Sequence, residues 1–510
     1  MFNVDLKTYK WAIIFCSMSA IGALVYGYDN SYYNGVLAMQ PFKDHYGDHY
    51  VDGKKALAVS FTSLTASSIY IGDLLGALIS APINDRWGRK AVFIFGSLCI
   101  LGGGVAQVAD NHHEGVIVLG RILIGFGVGS FAVTSLLYMG EIAPLAVRGP
   151  ALMMFQFLQS CSQLIASGIT QGTETINGTL SYKIPMGGLV VLPVIMFMCL
   201  PILPESPVWY ILKGRRDDAV KSFRKIHKSE PHYDPTSEIQ MLEEAKRVQE
   251  EENAKSSWVS LLTNPIERKK IVFSAGAMFA QQINGILFFY VYGVVFAQAI
   301  GIKQPFTIQL ITNVLQIVAV GASVVTGNKV RRRLNYLITT VMMFVAFLVM
   351  GGIGTHKALS TADQYVIVVF SYVIIVAFNF GMGPLAFTVA REMAVGVNQD
   401  KIMSIAIAVW YFTIWLVSFT APYLYDTAGL GPMLGFVYAG TTCISFAWAY
   451  FCVGETTGRT TLEISMFFDR GIPARHWRKH VFPPHLAQSE DFSADEALKS
   501  GTVATSEKLT

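Results

Sequence analysis

Residues 57–90 read LAVSFTSLTASSIYIGDLLGALISAPINDRWGRK. The first part, 57–80, is long and apolar enough to cross a bilayer core as a helix, which takes roughly 20 residues. It ends in a burst of charge, Asp85-Arg-Trp-Gly-Arg-Lys90. Almost half a chain later another apolar run ends in Asn328-Lys-Val-Arg-Arg-Arg333. Two further motifs repeat at close to the same offset. Glu141 is matched by Glu392, and Pro204-Glu-Ser-Pro207 by Gly454-Glu-Thr-Thr457. Three paired motifs at equivalent places predict two similar halves, each built on membrane-spanning helices.

Working outward, twelve such runs are expected. The first half has 11–36, 57–80, 91–109, 116–139, 151–171 and 184–203. The second has 269–296, 306–327, 337–354, 364–390, 402–424 and 433–452. The expected fold is an all-α integral membrane protein of two six-helix halves. Residues 1–203 form the first half, 204–268 a linker of cytoplasmic helices, 269–452 the second half, and 453–510 a cytoplasmic tail disordered at its end. The run from Trp11 lacks a small-residue cleavage site and reads as a retained span. Spans 1, 7 and 10 are interrupted by Gly, Asn and Gln, polar groups that are tolerated where they line a pathway instead of lipid.

Composition agrees. The chain is 52% hydrophobic and 15% charged, against roughly 25% charged for a soluble domain. Mean hydropathy is +0.44. A net charge of +4, held in short loops, argues against a nucleic-acid partner. Arg86, Arg89, Lys90, Arg148, Lys329, Arg331, Arg332, Arg333, Arg391 and Lys401 all fall on one side of a twelve-span layout, which marks that side as cytoplasmic. The sequon at Asn177 then lies outside, as a glycosylation candidate. Cys16, Cys99, Cys161, Cys199, Cys443 and Cys452 form no CxxC or Cys/His cluster and read as small apolar side chains. His112 and His113 beside Glu114 lack a third ligand, and no Walker A or dinucleotide motif appears. No metal, cofactor or enzymatic activity is expected.

A carboxylate inside a span costs roughly 2.5–3.5 kcal/mol to insert. Asp29, in Gly27-Tyr-Asp-Asn30, is such a group. A cation beside it favours its charged form, and burial opposes that form. An Asp that gains and loses a cationic partner as the protein moves would therefore bind and release a proton. A permanent structural bridge and a solvated place at the outer mouth are the alternatives. Neutral amides and aromatic faces suit a polyhydroxy solute. Gln156, Gln159 and Gln163 share one face of span 5. Span 7 offers Gln281, Gln282, Asn284 and Tyr292; span 8 offers Asn313 and Gln316, one turn apart. Bonding between helices is the simpler use of each amide. Charged groups at inner helix ends suit bridges that hold one conformation: Asp85, Arg86, Arg89, Glu141, Arg148, Glu205, Arg332, Arg333, Glu392 and Glu455 are the gate candidates. Static anchoring is the alternative.

Together with Gly120-Arg121, Glu141-Ile-Ala-Pro144, PESPVWYILKGRRDDA from Pro204, Gln281-Gln282-x-x-Gly285 and GETTGRTTLEI, these motifs resemble the sugar porter family of the major facilitator superfamily, in its fungal style. The resemblance implies a transporter that works by alternating access on a sugar, polyol or related solute. It places Asp29 where proton symporters of the family are acidic, with Arg121 as its ionic partner, and Gln156 on the sugar-binding glutamine. It also places Phe387 at a tryptophan position and Trp410 in the site. Departures lie in the second half: Leu287 and Val409 stand for amides, and Asn328 and Arg331 for Asp and Gly. They leave open a second cargo class, a small secondary metabolite or sugar-derived acid, imported or exported. A non-transporting nutrient sensor is the third reading. The leading expectation is a monomeric, multi-pass proton symporter of the plasma membrane, with solute and H+ as its partners beside the lipid bilayer.

Overall fold

The computed structural model describes residues 9–480 except 52, 111, 231–232, 256, 327–329, 357 and 458, and omits the side chains of 145–150, 153, 248–249, 252–255 and 324. Asn328, Lys329, the Arg148 side chain and the tail beyond 480 therefore lie outside the described residues.

Among those residues, 11 helices are long and apolar enough to cross a membrane. Span 1 is Lys10–Ala38, span 2 Val59–Trp87, span 3 Arg89–Ala109, span 4 Glu114–Ile142 and span 6 Leu180–Cys199. Span 5, Leu145–Thr173, is equally long; its stripe of Gln, Ser and Thr makes it the least apolar of the first half. The second half has span 7 in Pro265–Ile283 and Ile286–Ala299, span 8 in Pro305–Thr326 and span 9 in Arg332–Ile353. Span 10 covers Thr361–Met393, span 11 Gln399–Thr427 and span 12 Leu434–Cys452. Spans 2, 3 and 4 pack together, as do spans 9 and 12 and spans 7 and 11. The halves meet through three helix pairs: 1 with 7, 2 with 11, and 5 with 8.

Without a hydrophobic drive inside lipid, helices associate by close approach of small residues. Gly72 and Gly76 of span 2 face Gly125 and Gly129 of span 4 so closely that a Cβ on any of them would strike the opposite backbone. Of the interrupted spans, span 7 is broken where its polar residues sit, and span 1 parts at Ala20. Span 7 stops at Asn284 and restarts after Gly285, whose φ of +82° is a left-handed conformation that glycine adopts without strain. The Asn284 amide repairs the break: its Nδ2 donates to Gln281 O at 2.8 Å and its Oδ1 accepts from Ile286 N at 3.0 Å. Span 10 widens into a π-turn at Phe378–Met382.

Short helices Pro207–Leu212, Arg216–Ile226, Thr236–Lys255 and Trp258–Thr263 fill the linker. They bury a small core of Ile211, Ala219, Phe223 and Ile239. Lys225 and Lys228 sit over the rings of Phe15 and Trp11 in span 1. Ser257 N donates to Asn398 at the start of span 11, so the linker touches both halves at the same end of the bundle. The described part of the tail is built up to residue 480. Thr461–Asp469 is a helix with a Thr460/Glu463 capping box, and Trp477 stacks on Phe467 at 4.8 Å. On the outer side, a helix Gln40–Tyr46 and a two-stranded hairpin, His49–Val51 with Lys54–Ala56, cap the first half.

Candidate functional site

The two halves are clipped together in the outer part of the membrane. Asn34 of span 1 inserts its amide into the backbone ladder of span 7. Its Nδ2 donates to Tyr290 O at 3.0 Å and its Oδ1 accepts from Val294 N at 3.1 Å. Gln298 donates to Ala38 O and Ser63 to Phe419 O. Gln171 donates to Thr307 at 2.9 Å. Asn313 of span 8 donates to Ser31 at 3.3 Å, Gln163 O at 3.1 Å and Ser167 at 2.5 Å.

Toward the cytoplasm the seam opens. Along span 5, Gln163 is buried, Gln159 half-buried and Gln156 exposed, although all three share one helix face. Phe387, near the inner end of span 10, is 40% exposed. The conformation is closed outside and open inside.

Behind the outer clip lies the charge. Arg121 Nη1 is 2.9 Å from Asp29 Oδ1, and both side chains are 4% exposed. Arg121 also donates to the Tyr32 hydroxyl at 3.3 Å and, through Nε, to Thr65 O at 3.1 Å. Its guanidinium lies 4.2 Å from the ring centre of Tyr33. The pair borders a cavity of about 10 Å³, also lined by Asn34, Tyr70 and Val291 of span 7, which is room for roughly one water. Asp29 is thus buried beside the seam and not solvated at the outer mouth. The ion pair and the interface between the halves share a wall.

The expected cargo ligands divide. Three buried amide oxygens, of Gln163, Gln282 and Gln316, have no hydrogen-bond partner. They come from spans 5, 7 and 8. Gln281 is fully engaged inside the second half: its Nε2 donates to Gly383 O and its Oε1 accepts from Trp410 Nε1, both at 2.6 Å. Trp410 packs edge-on to Phe387 at 5.3 Å. Three expected ligands are taken up by the protein here. Asn284 holds the helix break, Asn313 the outer seam, and the Tyr292 hydroxyl donates to Ser418 O at 2.8 Å. Sequence reasoning passed over Asn34 and over Asn379, which donates to the Tyr290 hydroxyl at 2.6 Å. It also passed over Asp73, 2% exposed in span 2.

The gate candidates close within each half. In the first, Arg89 makes two bonds to Glu141, at 2.8 and 2.5 Å. Glu205 accepts from Arg89 N at 3.0 Å and Lys90 N at 3.1 Å, a carboxylate on a helix N-terminus. In the second, Arg332 pairs with Glu392, Glu455 accepts from Arg332 N, and Arg333 donates to Val453 O and Tyr450 O. Asp85 and Arg86 are exposed. Arg86 lies over the Trp87 ring, and the part of Asp85 in use is its carbonyl, which accepts from Trp209 Nε1. Neither reaches across to the other half.

Two six-helix halves with a buried charge and amide-lined seam, open to one side only, define a transporter of the major facilitator type, working by alternating access. The profile of the Sugar (and other) transporter family matches residues 15–468, and the chain belongs to that family. It is 26% identical to the low-affinity glucose transporter HXT3 of Saccharomyces cerevisiae, over 97% of this chain and 88% of that protein. It is 29% identical to the high glucose sensor RGT2 of the same yeast, over 94% of this chain but 64% of the sensor. Among solved structures, the inward open conformation of the xylose transporter XylE from E. coli superimposes with a TM-score of 0.75 at 19% identity, over 89% of this chain and 99% of that one. The proton:xylose symporter XylE bound to 6-bromo-6-deoxy-D-glucose gives 0.70 at 18% identity, over 90% of this chain and 100% of XylE. The family's members are transporters, not enzymes, and this chain is a multi-pass membrane protein.

Proposed function

We propose that the chain carries a sugar or polyol into the cell across the plasma membrane, as a monomer, in symport with protons. The observation that carries this reading is the set of three buried, unpartnered amide oxygens of Gln163, Gln282 and Gln316 on spans 5, 7 and 8. A solute rich in hydroxyl donors satisfies them, and an unmet buried acceptor costs about 1–3 kcal/mol. Gln156 and Gln159 extend the same face toward the cytoplasm, and Phe387 and Trp410 supply ring surface against C–H groups. The names of the relatives, a glucose transporter and a proton:xylose symporter, support the same cargo class.

Asp29 and Arg121 carry the coupling in this reading. With Arg121 bound, Asp29 keeps its charge. When the outer clip opens, the pair parts, and a buried lone carboxylate takes a proton. The Arg–Glu networks at the inner helix ends form the cytoplasmic gate, and Asn177, exposed beyond span 5, is the glycosylation site. Uptake in a hexose-transport-deficient yeast, with a protonophore control, tests the whole: hexose, pentose or polyol accumulation that the protonophore abolishes is expected. Asp29→Asn should lose accumulation and keep exchange; uphill uptake in that variant refutes the coupling role.

One observation favours a less hydroxylated cargo. The amide of Gln281 is closed by Gly383 and Trp410, and Val409 and Leu287 add no polar group. The same uptake panel should therefore include sugar-derived acids and deoxy sugars. Uptake of these alone, with no hexose, pentose or polyol carried, selects the second cargo class.

A further inference from the structure

Span 2 holds a carboxylate that the coupling scheme above does not use. Asp73 lies near the middle of Val59–Trp87 and is 2% exposed. Its Oδ1 is buried without a hydrogen-bond partner. The neighbouring cation is bonded elsewhere: the Nη1 and Nε of Arg121 are given to Asp29, Tyr32 and Thr65. Because Arg121 bonds Thr65 O, the ion pair is level with the Thr65 turn. Asp73 follows about two turns later, on the order of 10 Å nearer the cytoplasm.

Its surroundings come from both halves. Asp29 of span 1 and Arg121 of span 4 lie within electrostatic reach. So do three phenols: Tyr26 of span 1, Tyr70 on its own helix, and Tyr411 of span 11, across the seam. Among the described residues, no ionisable group of span 3, which also packs on span 2, is within that reach. On the span 4 side the glycine contact is too tight for water: a Cβ on Gly129 would strike the Asp73 carbonyl. A lone carboxylate there is far more costly as an anion than as an acid, and it keeps its charge only while water or a cation reaches it.

We propose that Asp73 is a second proton-binding carboxylate of the transport path, placed between the Asp29–Arg121 pair and the cytoplasmic opening. The proton that Asp29 releases when Arg121 returns to it passes to Asp73. Asp73, shut off from solvent in the conformation seen here, gives it up when spans 2 and 11 part further and admit water to the seam between them. No covalent bond changes; one proton moves from one carboxylate to another and then to water. Of the three phenols, Tyr70 also lines the small cavity beside Asp29. This inference rests on the proton-symport reading, so the experiment separates the two.

Purified full-length protein is reconstituted into vesicles containing a pH-sensitive dye, and a cargo identified by the uptake panel is added. Proton movement with cargo and cargo counterflow are measured for wild type, Asp29→Asn, Asp73→Asn and Asp73→Glu. Counterflow without proton movement in wild type overturns the symport reading, and this inference falls with it. If wild type moves protons, Asp73→Asn is expected to lose cargo-driven proton movement while counterflow persists, and Asp73→Glu to restore it with a shifted pH profile. Wild-type proton movement in Asp73→Asn, or loss of counterflow along with it, overturns the role of Asp73 and leaves the symport reading standing. Should Asp73→Asn fail to fold, Asp73→Glu decides alone: a pH profile identical to wild type overturns the proposal.

Discussion

The two halves share a fold and divide the chemistry. In the first, Asp29, Asp73 and Arg121 are buried deep in the membrane. In the second, the described ionisable groups other than tyrosine that are buried are Glu267 and Lys270, paired at 2.8 Å at the foot of span 7. The second half brings amides and rings instead. The inner networks differ in the same direction. Arg89 and Glu141 are 4% and 10% exposed; their counterparts Arg332 and Glu392 are 19% and 23% exposed. A duplicated scaffold thus carries buried charge on one side of the seam and, in the proposed reading, most of the cargo contacts on the other. In that reading, relative motion of the halves links proton binding to cargo binding.

The largest expected difference between the halves is at the inner networks. Arg89→Ala leaves Glu141 buried and unpaired, a loss of about 3–5 kcal/mol. Arg332→Ala strips a half-hydrated pair and should cost about 1–3 kcal/mol. Thermal unfolding in detergent compares them, and equal losses would break the asymmetry. Next is the outer clip. Asn34→Ala removes two hydrogen bonds that only the clipped state makes, about 1–3 kcal/mol in all. It should shift the population toward the outward-facing state, seen as lower accessibility of a cysteine placed at 156 to a cytoplasmic reagent. Gln163→Ala and Gln282→Ala sample the two sides of the cargo site. Each removes one acceptor, about 1 kcal/mol, or about a fivefold rise in KM. A rise for Gln282 alone would place the cargo wholly on the second half.

The smallest effect concerns a feature the first half adds. Between spans 7 and 8 the chain runs directly from Ala299 to Pro305, whereas between spans 1 and 2 it builds the helix and hairpin of the outer cap. There His45 stacks on His112 at 3.6 Å. Burial, then His112 and Lys183, hold His45 below the ordinary histidine value. Its folded form therefore binds protons less readily than its unfolded form. The stability it contributes is present above 6.5 and fades as the pH falls through that value. Amide protection factors across residues 40–56, taken relative to the intrinsic exchange rate at each pH, should fall modestly on acidification, and not in His45→Phe.

The spans were legible because apolar length is a local property. In span 7 the break was legible too: its Gln, Asn and Gly sit where the helix parts at Asn284–Gly285, whereas span 1 parts at Ala20, away from Gly27 and Asn30, and span 10 runs on through the Phe378–Met382 turn. The Asp29–Arg121 pair was legible through the resemblance. Asn284 and Asn313 were read toward cargo because an amide in an apolar run looks the same whether it meets a solute, a helix break or a neighbouring helix. Asn34 and Asp73 went unremarked for the same reason. The partners of Asn34 are at 290 and 294 in the other half, and Asp73 stands out by a buried Oδ1 without a partner.

By itself the sequence determined a two-half membrane transporter and its family. Each of these follows from properties that a segment carries alone: apolar length, and motifs repeated at a fixed offset. Only the tertiary structure decided which polar groups are satisfied. It closed Gln281, Asn284, Asn313 and Tyr292 within the protein, left Gln163, Gln282, Gln316 and Asp73 with unmet atoms, and set the seam open to the cytoplasm. In a medium without water, what a polar side chain does is settled by the group facing it, and that group is usually on another helix.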